Sequence, residues 1–375
     1  AQILTANLIL PIGTIMAERF EYLPSVGYAV VVAQLLWWVG AGLSRWKPNH
    51  RYTQTITAGA LTALLALGLG VRTYFRNQDW KTESTLWKSA VAASPNSFKV
   101  YKAYANTIWN AISNEHTGDA DLEEKTLAQS IKLAEKGLSI LDNPPLPISK
   151  QDNTLYQDLG QDYCLMGEYL DKQGKHQEAQ AYYQKSLDVL FRARDVDRWV
   201  NQTSRAAQIA RGQPESQVRD VGNFRIYVLL SLTYVQLGDW KDLESSGNYV
   251  IHLAPLIPDG YRLVAWAYDH EGHTPDAIVE IMQALLIDMH NGGCWYDLAG
   301  YYKKLGITPI PIRADPAENT YALDPSSSLV RDEINHAGVE LIRRVREGKL
   351  FTDAQNLQET LIDKMHVPAQ MFDSK

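Results

Sequence analysis

Five columns of residues recur at an interval of 34 in this chain. Tyr227, Tyr261 and Trp295 form the first, and Leu230, Val264 and Leu298 the second. Ser231, Ala265 and Ala299 make the third, Tyr234, Tyr268 and Tyr302 the fourth, and Gly238, Gly272 and Gly306 the fifth. A period of that length marks stacked supersecondary units, none of which can bury its apolar face alone. Within each unit the aromatic, apolar, small and aromatic positions fall on one helical stripe, and the glycine supplies a stop signal. A second helix follows, with small–large–small spacing in Ala277, Ile281 and Ala284, and Pro255 closes the unit that begins near Phe224. Small residues let two helices approach, while aromatics fill the space between neighbouring pairs. The spacing predicts an all-α chain built as a superhelix of helix-turn-helix repeats.

The same order of residue types continues upstream, out of phase. Tyr163, Met166, Gly167 and Leu170, then Gly174, Ala179, Tyr183 and Ser186, form one unit. Tyr101, Tyr104, Ala105 and Ile108 start an earlier one, and Trp87, Ala90 and Pro95 suit a second helix before that. The pattern resembles the tetratricopeptide repeat (TPR). The solenoid is expected over 76–310, with insertions near 111–121 and 191–222 and a Pro-rich break at 143–149. Beyond Gly306, TPIPIRADP reads as turns, and 311–375 should form capping helices near 329–347 and 352–365. By resemblance, the outward face of each first helix lines a concave groove for a protein or peptide partner. Here that face offers Arg225, Gln236, Arg262, Trp266, Asp269, His270, Tyr296, Lys303 and Lys304.

Residues 1–75 follow different rules. They hold two acids and five bases, a net of +3, against −7 for the whole chain, which leaves −10 for the rest. That acidic remainder argues against a nucleic-acid partner. Residues 25–43 and 53–71 are each 19 long and uncharged, close to the ~20 residues that cross a hydrocarbon core. Two transmembrane helices are therefore expected, with Trp37, Trp38, Tyr74 and Phe75 at the interfaces. The connecting segment, SRWKPNHRY, carries three basic residues and no acid. The positive-inside rule puts loop 44–52 in the cytoplasm and the repeats in the periplasm or lumen. Residues 1–16 are apolar but interrupted by Pro11, which suits an interfacial segment or a partial span. No charged leader precedes them, so they do not read as a signal peptide. The chain reads as the C-terminal part of a longer protein.

Catalytic motifs are sparse. There is no Gly-rich phosphate loop, HExxH or Gly-x-Ser-x-Gly elbow. Cys164 and Cys294 fall in different repeat units, which excludes a disulfide framework. His270 and His273 flank Gly272 at an inter-helix turn, and no metal site or cofactor is expected. The exception is the loop motif AERFEYLPS at 17–25, where Glu18 and Arg19 lie beside a membrane segment and an unpaired charge is costly.

The run NLILPIGTIMAERFEYLPSVGY, two apolar spans around a basic loop, and DWKTESTLWKSAVAASPNS before the repeats together resemble the transmembrane-and-TPR O-mannosyltransferases and their bacterial relatives. In motif detail the resemblance covers about 7–110. It implies an integral protein of the bacterial inner membrane or the endoplasmic reticulum. The implied activity is hexose transfer from a polyprenyl-phosphate carrier to Ser or Thr of a protein. Its catalytic acid would lie outside this chain, and Glu18, Arg19, Tyr22 and Ser25 become candidates for holding the carrier phosphate or the loop. The alternative is a non-enzymatic, membrane-tethered TPR scaffold that assembles proteins.

The two-span topology predicts that cysteines introduced at Asn49 and Asn201 react from opposite sides of the membrane with an impermeant thiol reagent. Reaction of both from one side would exclude it.

Overall fold

A computed structural model describes residues 22–44, 53–113, 119–143, 145, 147–308, 310–315, 320–323 and 327–372. The chain divides into two compact units, Ala1–Ser89 and Ala90–Lys375.

In the first unit, helix α1 (Tyr22–Ser44) packs on α2 (Thr53–Asp79). The crossing is made by small residues. A Cβ on Gly40 would lie 2.9 Å from the Gln54 carbonyl and 3.3 Å from the Ala58 Cβ. Both expected spans are helices, and the second continues past Val71 to Asp79. Among the described residues one helix, 54–79, is long and apolar enough to cross a membrane; the apolar stretch of α1, Val26–Gly42, is shorter. Leu64, Leu67 and Ile56 of α2 are about two-thirds exposed, an apolar surface that water does not favour. Helix α3 (Glu83–Ala93) follows.

The second unit is built from helix pairs. These are α4 (Phe98–Ser113) with α5 (Ala120–Leu141), α6 (Asn153–Lys172) with α7 (His176–Ala210), α8 (Phe224–Leu237) with α9 (Trp240–Leu253), and α10 (Pro258–His270) with α11 (Thr274–Ile287). A further first helix, α12 (Gly292–Lys304), precedes a short hairpin and then α13 (Ser328–Glu347) and α14 (Phe351–Met365). The 34-residue interval is kept in three dimensions, since α8, α10 and α12 start at 224, 258 and 292.

The turns between paired helices explain why glycine keeps that interval. Gly238, Gly272 and Gly306 have φ of +71°, +88° and +72°, the left-handed region that costs side chains energy. In each, the amide of the next residue donates to the carbonyl five residues back. The three bonds are Asp239 N to Tyr234 O (3.0 Å), His273 N to Tyr268 O (2.7 Å) and Ile307 N to Tyr302 O (3.0 Å). This is the Schellman closure, which satisfies carbonyls a helix end leaves bare. The repeated columns are the core: Tyr227, Tyr261, Trp295, Leu230, Val264 and Leu298 are at most 3% exposed.

The structure gives form to one expectation and corrects another. The insertion expected near 191–222 is helical for most of its length, because α7 is a single helix of 35 residues that ends at Ala210. No Gly or Pro stands between Gly174 and Gly212, and Ala, Arg and Gln favour helix. The chain then returns along α7, where Asn201 Oδ1 accepts from Val221 N (3.0 Å) and Arg205 donates to Asp220 (2.8 Å). The reading of TPIPIRADP as turns is corrected, because Ile312–Asp315 pairs antiparallel with Thr320–Leu323. The helices expected near 329–347 and 352–365 are α13 and α14.

Neighbouring pairs meet where side chains are missing. A Cβ on Gly260 of α10 would lie 2.8 Å from Ile251 Cγ1 and 3.1 Å from Ile251 N of α9. Gly260→Leu should therefore lower stability by ~1–3 kcal/mol through overpacking. A lower urea midpoint at an unchanged slope is expected, and a wild-type midpoint would contradict this packing.

Candidate functional site

The first helices of the pairs, α4, α6, α8, α10 and α12, present their outward residues to one another, and most are stitched by polar contacts. Lys102 of α4 donates to Asp152 (2.9 Å) at the start of α6, and Asn106 donates to Asp158 (2.8 Å). Between α6 and α8, Asn223 donates to Gln157 (2.6 Å) and Gln236 to Glu168 (3.2 Å). Between α10 and α12, Asp297 accepts from Arg262 Nε (2.6 Å) and from the Trp266 indole (3.0 Å), while Lys304 donates to Asp269 (2.8 Å). The Arg262 guanidinium also lies 4.8 Å from the Trp266 ring centre, within cation–π range.

The step from α8 to α10 is different. Val228 and Leu232 of α8 face Leu263 and Trp266 of α10 across a hollow of about 200 Å³ edged by Asp259 and Arg262. It shares Val228 and Asp259 with a neighbouring hollow of about 330 Å³, whose lining adds Phe224, Leu229 and Ile257, and Arg225, Gln157 and Gln161 at the edge. The result is an apolar trough between polar margins. It suits a few side chains of an extended segment, anchored on an aromatic residue.

Of the residues singled out from sequence, Arg225, Arg262 and Trp266 line this trough. Asp269, Tyr296, Lys303 and Lys304 line a separate hollow along α12. Tyr296 is 80% exposed. Burial works against ionisation of Asp269, yet Lys304 and Thr274 hold its carboxyl below the ordinary range. His270 stands apart from both, its ring stacked on Trp240 at 3.6 Å and 5°. Sequence reasoning missed Val228, Leu232 and Asp297. The first two were within reach: they sit 34 residues before Arg262 and Trp266. Glu18 and Arg19 lie outside the described residues. Tyr22 and Ser25 fall in the first turn of α1.

Both cysteines of this unit and the carboxyl of Asp162 are buried. Burial pushes the Cys164 thiol up to about 11 and that of Cys294 to about 12, which leaves both unreactive at neutral pH. Among the described residues no His, Cys, Asp and Glu group could hold a metal. Asp162, 6% exposed, accepts from Ser130 Oγ at 2.8 Å. Burial, with the like charge of Asp158, pushes its carboxyl from 3.8 up to about 7.

Comparison with known proteins places these features in context. No family model matches the chain. It is similar to protein O-mannosyl-transferase Tmtc2 of Drosophila melanogaster, 37% identical over 90 residues, which are 24% of this chain and 9% of that protein. Tmtc3 of the same organism is 34% identical over 110 residues, 29% of this chain and 11% of the relative. Mouse TMTC3 is 29% identical over 111 residues, 29% and 10%. The chain spans about a tenth of the length of the curated relatives it matches. Among solved structures, the TPR protein YrrB, with an unusual peptide-binding site, is 11% identical at a TM-score of 0.37, over 73% of this chain and 97% of that one. The TPR2AB domain of yeast Sti1 in complex with pHSP90 is 14% identical at 0.22, over 80% and 95%.

The raised Asp162 carboxyl makes stability depend on pH. Between about 4 and about 7 the folded chain keeps a proton that the unfolded chain has released, so this group's contribution falls as pH rises through that window. Asp162→Asn preserves the shape, its amide can donate to Ser130, and it has nothing to ionise. The variant should be more stable than wild type at pH 8 and lose that advantage at pH 4. Parallel urea titrations at the two pH values check this; equal differences at both would refute it.

Proposed function

We propose that this chain is part of a membrane protein O-glycosyltransferase whose helical repeats hold the acceptor protein along the α8–α10 trough. The observation that carries the reading is the local similarity to protein O-mannosyl-transferases, 37% identical over 90 residues. Two physical features support it. The first unit contains a helix of membrane-spanning length and composition, as a protein that meets a lipid-linked donor requires. The second offers an apolar trough flanked by Arg225 and Arg262, with Trp266 as its anchor, on the outward face of the first helices.

In this reading α1 and α2 both cross the bilayer, loop 44–52 is cytoplasmic and the repeats face the periplasm or lumen. Mannose is transferred from a polyprenyl-phosphate donor to a Ser or Thr hydroxyl, with the base that activates the hydroxyl supplied by other parts of the enzyme. Glu18 and Arg19 of the loop motif position the carrier phosphate. The repeats raise the local concentration of the acceptor near the membrane and thereby act on its binding, not on the chemical step.

The reading separates KM from kcat. With the complete enzyme and a labelled polyprenyl-phosphate mannose donor, Trp266→Ala together with Leu232→Ala should raise KM for a protein acceptor by about tenfold, corresponding to ~1.4 kcal/mol of lost contact. The kcat for that acceptor and the KM for a short Ser/Thr peptide should stay unchanged. Absence of transfer by the wild type would remove the enzymatic reading, and an unchanged protein KM would remove the trough from acceptor binding.

A further inference from the structure

Helix α2 changes chemistry near its end. No charged residue occurs from Thr53 through Val71, and 19 residues at about 1.5 Å each span close to the ~30 Å of a hydrocarbon core. Arg72 is the first charge beyond that span, and Arg76 follows one turn later. Both line one hollow with Leu69, Thr73 and Asn77, a single arc of the helix at its 3.6-residue period, and with Trp80 just past the helix end. Leu65 continues the arc toward the apolar part and is exposed, as are Leu69 and Trp80. Both arginine side chains are exposed, and neither makes an ion pair or hydrogen bond to another described side chain, although Asp79 stands at the edge of the arc.

This arrangement selects a ligand with two parts. Two guanidinium groups one turn apart offer forked donors for phosphate oxygens. Leu65 and Leu69 offer an apolar track on one side, and Trp80, with its amphipathic ring, suits the polar boundary on the other. An acidic peptide would meet the charges but leave the track uncovered. We infer that the 69–80 segment, the end of α2 and the residue after it, binds the phosphate headgroup of an anionic membrane lipid, whose acyl chains lie along Leu65 and Leu69. The site rests on α2 lying in a bilayer and is independent of the acceptor trough.

The complete chain is reconstituted with phosphatidylcholine, recovered by flotation, and placed in nanodiscs of phosphatidylcholine doped with phosphatidylglycerol. Native mass spectrometry then scores the lipids that remain bound on release. Wild type should retain phosphatidylglycerol in preference to phosphatidylcholine. R72Q/R76Q should weaken that retention by about tenfold or more, as loss of charge-assisted contacts implies, with unchanged helical circular dichroism. K81Q/K88Q removes the same charge off the arc, at two exposed positions, and should behave as wild type. Excess inorganic phosphate should not displace the lipid. Wild-type retention by R72Q/R76Q, equal loss in K81Q/K88Q, or displacement by inorganic phosphate alone would each overturn the site. Failure of the wild type to float would overturn the membrane reading together with it, whereas flotation without lipid preference would remove this inference alone.

Discussion

At the α9–α10 junction, helix meets helix with hydrogen atoms where side chains would stand. A Cβ on Gly247 would come within 2.8 Å of Val264 Cγ2 and 3.3 Å of the Gly260 carbonyl, and Gly260 itself lies against Val250 and Ile251. Helix α9 belongs to one pair and α10 to the next, so this close approach sets the spacing of the pairs. The separation of α8 from α10 follows from it, and with it the width of the trough lined by Val228, Leu232, Leu263 and Trp266. The shape of the trough thus depends on packing behind it. Interiors packed at crystal-like density transmit such changes instead of absorbing them.

The first-helix face shows how polar residues can read as binding groups and act as struts. Arg262 and Lys304 are engaged by Asp297 and Asp269, and Gln236 by Glu168. Partly exposed pairs of this kind contribute only ~0–1 kcal/mol each. Their value to a ligand lies in being fixed in direction. The apolar trough lies at the step where no such polar bond joins α8 to α10 among the described residues. Affinity for an extended segment would come mainly from covering that trough, and the flanking Arg225 and Asp259 would set its direction.

Much of this was legible in the sequence because it depends on local rules. The left-handed turn at Gly238, Gly272 and Gly306 admits few residues, so it leaves a fixed mark every 34 positions. The buried aromatics do the same, and the caps at α13 and α14 showed in their polar, periodic stretches. What was missed depends on contacts distant in sequence. The extension of α7 has no stop signal before Gly212, but its purpose is visible only in the return segment that it carries, through Asn201, Arg205 and Asp197. The 312–323 hairpin is two four-residue strands, too short for periodicity to register against four nearby prolines. Asp297 looked like one exposed acid among many until Arg262 and Trp266 converged on it from another helix.

The register that begins with glycine turns ends on an ion pair. Among the described residues no helix pairs with α12 directly after Gly306; α13 packs on α11 instead, burying Ala337, Leu341 and Val345. Arg344 of α13 gives two bonds of 2.7 Å to Glu280 of α11, with both side chains at most 13% exposed. The same guanidinium lies 5.5 Å from the centre of the Tyr261 ring, a member of the first repeated column. Burial, with the like charges of Glu340 and Asp276, raises the Glu280 carboxyl, and Arg344 opposes it. A hydrophobic plug would seal the open end of the stack at least as tightly, since buried ion pairs often contribute little net stability. A paired carboxylate and guanidinium do something a greasy contact does not: they disfavour a shift of α13 along α11, because Arg344 would keep Glu340 of its own helix while Glu280 lost its ion-pair partner in a buried place.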